Sequence, residues 1–210
     1  MRLPSHPYDY PLSFGDRRFD ASGRLIYDQV EPDGTLGDKI AVNGKIEPVL
    51  KVAARKYRFR LLDIGPSRCY EFFLQKANGV SQTFTYIGND GNLLPAPLKN
   101  QVSVRIAVAE RADIIIDFSQ YPIGTELYLV NRLIQTKSRR ADGVGGATRV
   151  LKFIVDRYPP EQDVSQVPDV LRELPPLDPA EIAAAPVRRW VFERKNGMWA
   201  INGQFFNPNS

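Results

Sequence analysis

Along most of the chain, apolar and polar residues alternate with a period of two rather than the 3.6 of a helix. Tyr57, Phe59 and Leu61 alternate with Arg58 and Arg60. Val102, Val104, Ile106 and Val108 alternate with Ser103, Arg105 and Ala107, and Leu151, Phe153 and Val155 form a third series. Successive side chains of a strand point to opposite faces, so this spacing predicts strands with one buried face. Tyr57, Phe59, Leu61, Leu151 and Phe153 are therefore expected in the core, with Arg58 and Arg60 facing away. The β-branched run at 112–118 predicts a strand covered on both faces or nearly so, with Ile114 and Ile116 in the core. Residues 70–74, 83–87 and 126–130 are further strand candidates. Turn pairs separate these segments: Asn43-Gly44, Asn78-Gly79, Asn89-Asp90-Gly91-Asn92 and Ile123-Gly124. Many short strands with turn signals between them predict an all-β sandwich or barrel over 1–158. Few segments hold a helical period for ten residues, which argues against an α/β fold.

The pattern changes at Pro159. Six prolines fall between 159 and 179, a density that resists regular structure and predicts a stiff connector over 159–186. One short helix is expected near its end, with Asp178 as N-cap, Pro179 at the first helical position, Glu181 in the first turn and Pro186 as the stop. Residues 187–210 then read as a few strands around the hairpin pair Asn202-Gly203. Trp190, Phe192, Trp199, Ile201, Phe205 and Phe206 crowd this stretch, which is too small to bury them by itself. It is expected to be the opening of a further β domain, or else to pack on the main sandwich or a second copy.

Composition adds limits. The chain has 210 residues, 43% hydrophobic and 25% charged, which suits a globular domain and argues against global disorder. No apolar run approaches the roughly 20 residues of a membrane span, and no membrane partner is expected. The first eleven residues lack the apolar core of a signal peptide. The net charge of +4 permits anionic partners without demanding nucleic acid. Residues 55–60 interleave aromatics with Arg and Lys, but alternation sends the aromatics inward, so base stacking and nucleic-acid binding are not expected.

Candidate chemistry is sparse. The chain has one histidine, His6, and one cysteine, Cys69. A zinc site of the usual type needs several such ligands, and a blue-copper site needs two His and a Cys. Ser-His-Asp or Cys-His catalysis would have to use His6, which lies in a proline-rich leader. Cys69 reads as a small buried hydrophobe. Asp113 and Asp117 share one face of a strand, and Asp16-Arg17-Arg18 is a mixed cluster; both are expected to form ion pairs and turn caps. Gly143-Val144-Gly145-Gly146 lacks the Lys-Ser/Thr of a phosphate loop and reads as a hairpin loop.

Several phrases, taken in order, resemble one family. Leu3-Pro4-Ser5, Tyr8-Asp9-Tyr10-Pro11-Leu12, Asp16-Arg17-Arg18-Phe19-Asp20-Ala21-Ser22-Gly23 and Gly37-Asp38-Lys39-Ile40-Ala41-Val42-Asn43-Gly44 come first. Pro48-Val49-Leu50-Lys51-Val52, Arg55-Lys56-Tyr57-Arg58-Phe59-Arg60-Leu61-Leu62, Ile87-Gly88-Asn89-Asp90-Gly91-Asn92-Leu93-Leu94 and Glu110-Arg111-Ala112-Asp113-Ile114-Ile115-Ile116-Asp117-Phe118 follow. The set resembles the middle (second) cupredoxin domain of three-domain multicopper oxidases, nearest the spore-coat laccase and bilirubin oxidase group. The tail Trp199-Ala200-Ile201-Asn202-Gly203-Gln204-Phe205-Phe206 resembles the start of the third domain.

The resemblance implies a cupredoxin-like Greek-key β-sandwich or barrel over 1–158, a linker over 159–186 and the truncated start of a second β domain over 187–210. It implies the central region of an oxidase that couples oxidation of phenolic or metal donors to reduction of oxygen to water. The family's copper ligands lie in His-X-His and His-Cys-His segments of the first and third domains. None of these occurs here, so this chain is expected to hold no copper or other cofactor, to contribute no catalytic residue and to be silent alone. Its implied partners are the remaining cupredoxin domains of the same oxidase, with self-association through 187–210 as another outcome. Loops of the family's middle domain help to wall the donor entrance, which marks Asp63, Ile64 and Gly65, then Asn89 and Asp90, and then Lys137, Arg139 and Arg140. The family is usually exported or on the spore surface, which implies an extracytoplasmic location. The alternative is a free-standing β-sandwich that serves as a binding or assembly module without oxidase activity.

Overall fold

A computed structural model describes residues 2–27, 34–136 and 141–209. The chain divides into two compact units, Met1–Glu173 and Leu174–Ser210.

The first unit is a sandwich of two sheets. One contains β1 (Asp9–Arg17), β2 (Lys39–Val42), β3 (Lys45–Ile46), β5 (Lys56–Asp63), β8 (Phe84–Asn89), β9 (Asn92–Gln101) and β11 (Arg111–Asp117), in the order β3-β2-β1-β5-β11-β8-β9. The other contains β4 (Val49–Ala53), β6 (Tyr70–Lys76), β7 (Ser81–Gln82), β10 (Ser103–Ile106), β12 (Glu126–Leu133) and β13 (Val144–Arg157). Its order is β10-β6-β12-β13-β4, with β7 paired to β6. Most pairings are antiparallel, but β1 runs parallel to β5 and β4 parallel to β13. The chain crosses repeatedly between the sheets, as from β4 to β5, β5 to β6 and β10 to β11, as in a Greek-key sandwich.

The core lies between the sheets. Tyr57, Phe59 and Leu61 of β5 are buried, as are Ile114 and Ile116 of β11 and Leu151 and Phe153 of β13. Phe59 and Phe118 each approach Phe153 of the opposite sheet, with ring centroids 5.3 Å apart. Arg58 and Arg60 face outward into ion pairs with Asp113 and Asp9. Ile115 is also buried, on the outer face, under Leu171, so β11 is covered on both sides.

Three differences from the sequence pattern have local causes. β1 carries Pro11, but β2 pairs with β1 only from Phe14 onward, so on that side the missing N–H has no ladder partner to fail. β9 carries Pro95 and Pro97 and lies at the end of its sheet, where prolines are tolerated. Val144 to Gly146, read as loop, already belong to β13, and the β12–β13 turn lies before them.

The first part of the proline-rich stretch is packed on the sandwich rather than free of it. Asp163 pairs with Arg55 at 2.9 Å and accepts from the backbone N–H of Lys56. The N–H groups of Leu171 and Arg172 donate to the carbonyl of Pro95, covering the edge strand. These contacts explain why the compact unit runs on to Glu173.

In the second unit, α1 (Pro179–Ala184) starts at Asp178, whose side chain accepts from Ala180 N–H, with Pro179 in the first turn. The strands β14 (Phe192–Lys195), β15 (Met198–Ile201) and β16 (Gln204–Phe205) form an antiparallel sheet. Asn202-Gly203 makes the β15–β16 turn. Trp190, Phe192, Trp199 and Phe206 are exposed and line an open apolar groove. No described helix is long and apolar enough to cross a membrane.

Candidate functional site

Strand pairing brings the marked loops to one end of the sandwich. β5 ends at Asp63, β8 ends at Asn89, and β11 begins between them at Arg111. Asp63 receives a hydrogen bond from Ala109 N–H and donates its own N–H to the Glu110 carbonyl. Asp90, in the β8–β9 turn, accepts from Arg111 N–H at 3.1 Å and donates its N–H to the Arg111 carbonyl. The start of β11 therefore holds both turns. The β12–β13 hairpin joins them through Gln135, which accepts from Cys69 N–H at 2.8 Å and donates to the Ser67 carbonyl at 3.0 Å. Lys137, Arg139 and Arg140 lie outside the described residues.

The three residues of the first loop differ in character. Ile64 is exposed, whereas Asp63 and Gly65 are buried. Gly65 N–H donates to Asp63 Oδ1 at 2.8 Å, closing a tight turn. Behind it sit residues that the sequence pattern had not joined. Asp16 of β1 accepts from Arg68 Nε at 3.0 Å and from Gly37 N–H at 2.5 Å. Arg68 Nη2 donates to the Gly37 carbonyl, and Thr35 N–H donates to Ser67 Oγ. Gly37 lies so close to β1 that a Cβ there would stand 2.4 Å from the backbone nitrogen of Arg17. Only glycine allows that approach.

Burial shapes the local electrostatics. Asp63 is 1% exposed. Loss of hydration raises its pKa, the Gly65 N–H lowers it, and neighbouring Asp16 and Glu110 raise it further, to about 7. Tyr70 is raised, first by burial and then by Asp16 and Asp63. Burial, with Asp63 nearby, also raises the Cys69 thiol, which keeps it protonated and a poor nucleophile or metal ligand.

The donors present do not make a copper site. His6 is exposed in the leader, and Cys69 is a protonated thiol whose backbone is held by Gln135. Among the described residues no group of three or more His, Cys, Asp or Glu side chains is placed to hold a metal. Asp113 pairs with Arg58, and Asp117 caps the turn at Ser119, so neither is free for acid–base work.

The element order and the two packed sheets define a cupredoxin-like Greek-key β-sandwich. No family model matches the chain. It is 36% identical over 198 residues to a laccase of Bacillus stratosphericus, covering 86% of this chain and 36% of that protein. It is 31% identical over 216 residues to a bilirubin oxidase of Albifimbria verrucaria, covering 98% of this chain and 36% of that protein. The multicopper oxidase McoA 2F4 variant of Aquifex aeolicus matches in structure with a TM-score of 0.80 and 30% identity, over 96% of this chain and 42% of that one. The chain is thus homologous over most of its length to multicopper oxidases, and it spans about a third of the length of these two curated relatives.

Proposed function

We propose that this chain is the central, non-copper-binding region of a laccase-like multicopper oxidase, one that oxidises phenolic or metal donors and reduces oxygen to water. One observation carries the reading. Homology to multicopper oxidases runs along nearly the whole chain, yet its single His and single Cys do not form a copper ligand set. The region then contributes spacing and loops. The convergence of the turns at Asp63–Gly65 and Asn89–Asp90 with the β12–β13 hairpin supports their reading as one wall of the donor entrance. In the same reading copper is held by the remaining cupredoxin domains of the oxidase, which are this region's partners, and the protein works outside the cytoplasm. The apolar groove of the second unit supports the further reading that its sheet is completed by strands of the next domain.

Copper loading tests the proposal. The chain is incubated with Cu(II), dialysed and subjected to elemental analysis and visible absorption spectroscopy. The expected result is no stoichiometric copper, no Cu–thiolate band and no turnover of a phenolic donor. One tightly held copper per chain with such a band would overturn it.

A further inference from the structure

The core ends in acids. Along β5 the inward positions are Tyr57, Phe59, Leu61 and then Asp63; along β1 they are Leu12, Phe14 and then Asp16. The inward series of β6 begins with Tyr70. Strand pairing sets Asp63 opposite Phe14, which brings these last polar positions together where the apolar layers stop. Asp16 is 3% exposed, Asp63 1% and Tyr70 0%. Asp63 Oδ1, Asp16 Oδ1 and Tyr70 Oη lie 3.1, 3.2 and 3.8 Å from the point that a Cβ on Gly65 would occupy. Asp16 Oδ1, Asp63 Oδ2 and Tyr70 Oη have no hydrogen-bond partner among the described residues. Buried polar atoms are nearly always satisfied, and each exception calls for a cause.

We propose that Asp63 holds a proton beside the Asp16 carboxylate, and that this proton is a pH-sensitive latch that keeps the 64–68 loop closed on residues 35–37. Charge balance supports it. Asp16 already accepts from Arg68 and Gly37, so its second oxygen can only accept again. A protonated Asp63 and the Tyr70 hydroxyl are O–H donors that gather with this oxygen around Gly65. If Asp63 ionises, two buried carboxylates adjoin a single Arg68, which cannot stabilise both. The groups around the acid are Asp16 from β1, Arg68 from the loop, Cys69 and Tyr70 at the start of β6, and Glu110 from the turn before β11, with Arg17 of β1 acting on Tyr70. Residues 35–37 bring no ionisable side chain. Relief comes from letting water reach Asp63. That frees the Gly65 turn and, through it, the bonds of Arg68 to Gly37 and of Ser67 to Thr35. The latch rests on this cluster alone and stands whether or not the loop walls a donor entrance.

The sign of the pH effect follows. The folded chain binds this proton more tightly than the unfolded chain, so the contribution is complete below the ordinary carboxyl value. It is lost as pH rises from about 4 to about 7, at tenfold in folding constant per pH unit for one proton. Carboxyl-carbon NMR on the full chain, with Asp63→Asn to assign the signal, reads the group directly. We expect Asp63 to titrate near neutrality, not near pH 4. Intrinsic-rate-corrected amide exchange at Gly37 and Gly65 should rise about tenfold between pH 6 and pH 8, most of it below pH 7.5. The unaltered chain should lose folding constant relative to Asp63→Asn, whose amide mimics the protonated acid, by that tenfold per unit. An Asp63 carbon titrating near pH 4, or amide protection indifferent to pH, would overturn the latch. Both readings come from the unaltered chain, so they remain decisive if the variant does not fold.

Discussion

Phe59 and Trp199 occupy comparable places, each a large aromatic in an antiparallel ladder, yet Phe59 is wholly buried and Trp199 is 65% exposed. Phe59 has Phe118 and Phe153 against it. Trp199 has within its own unit the guanidinium of Arg194, 5.4 Å from the ring centroid. The difference lies in what stands opposite. The sandwich supplies a second sheet, so each inward side chain removes apolar surface from water on both sides of the layer. The three-stranded sheet of the second unit supplies none, and a small isolated sheet is marginal in water. The same alternation thus builds a core in one region and an open apolar face in the other.

Phe59→Ala should break the comparison most strongly. Removing a buried ring leaves a cavity between the sheets, and the sandwich should lose about 3–5 kcal/mol in chemical denaturation. A loss similar to that of a surface substitution would show that the two layers are not packed around this residue.

Leu171→Ala comes next. Leu171 closes the outer cluster of Ile87 and Ile115 and anchors the proline-rich strap at the edge strand. A segment on the outside can settle into the gap, so the cost should be about 2 kcal/mol, near the lower end for buried Leu to Ala. Faster amide exchange should be confined to the strap and β9. Unchanged stability would mean that the strap adds nothing to the sandwich.

Trp199→Ala should do least, moving the unfolding transition of the sandwich by no more than about 0.5 kcal/mol. Amides of residues 192–205 in the monomer should exchange far faster than those of β5 and β11. Strong protection there, independent of concentration, would remove the contrast and favour a self-contained module.

The sequence showed much of the sandwich because each strand face repeats every two residues. Tyr57, Phe59 and Leu61 needed only their spacing to be placed inside, and Ile114 to Ile116 needed only their density to be placed under cover on both faces. The same reading stopped one position short at Asp63, where continuing the alternation would have pointed a carboxyl into the core. The strands β1 and β9 were hidden by their prolines, because a missing N–H is harmless only where no neighbour needs it, and pairing decides that.

By itself the sequence determined the β class, the inward faces, the Asp178 cap, the Asn202-Gly203 turn and the single His and single Cys. Each of these depends on residues close along the chain or on simple counts. Only the tertiary structure decided that β1 runs beside β5, that Gln135 ties the β12–β13 hairpin to the loop after Asp63, and that Asp16, Asp63 and Tyr70 meet at one end of the core. These neighbours come from distant parts of the chain, and local periodicity fixes the face of a strand but not which strand lies beside it.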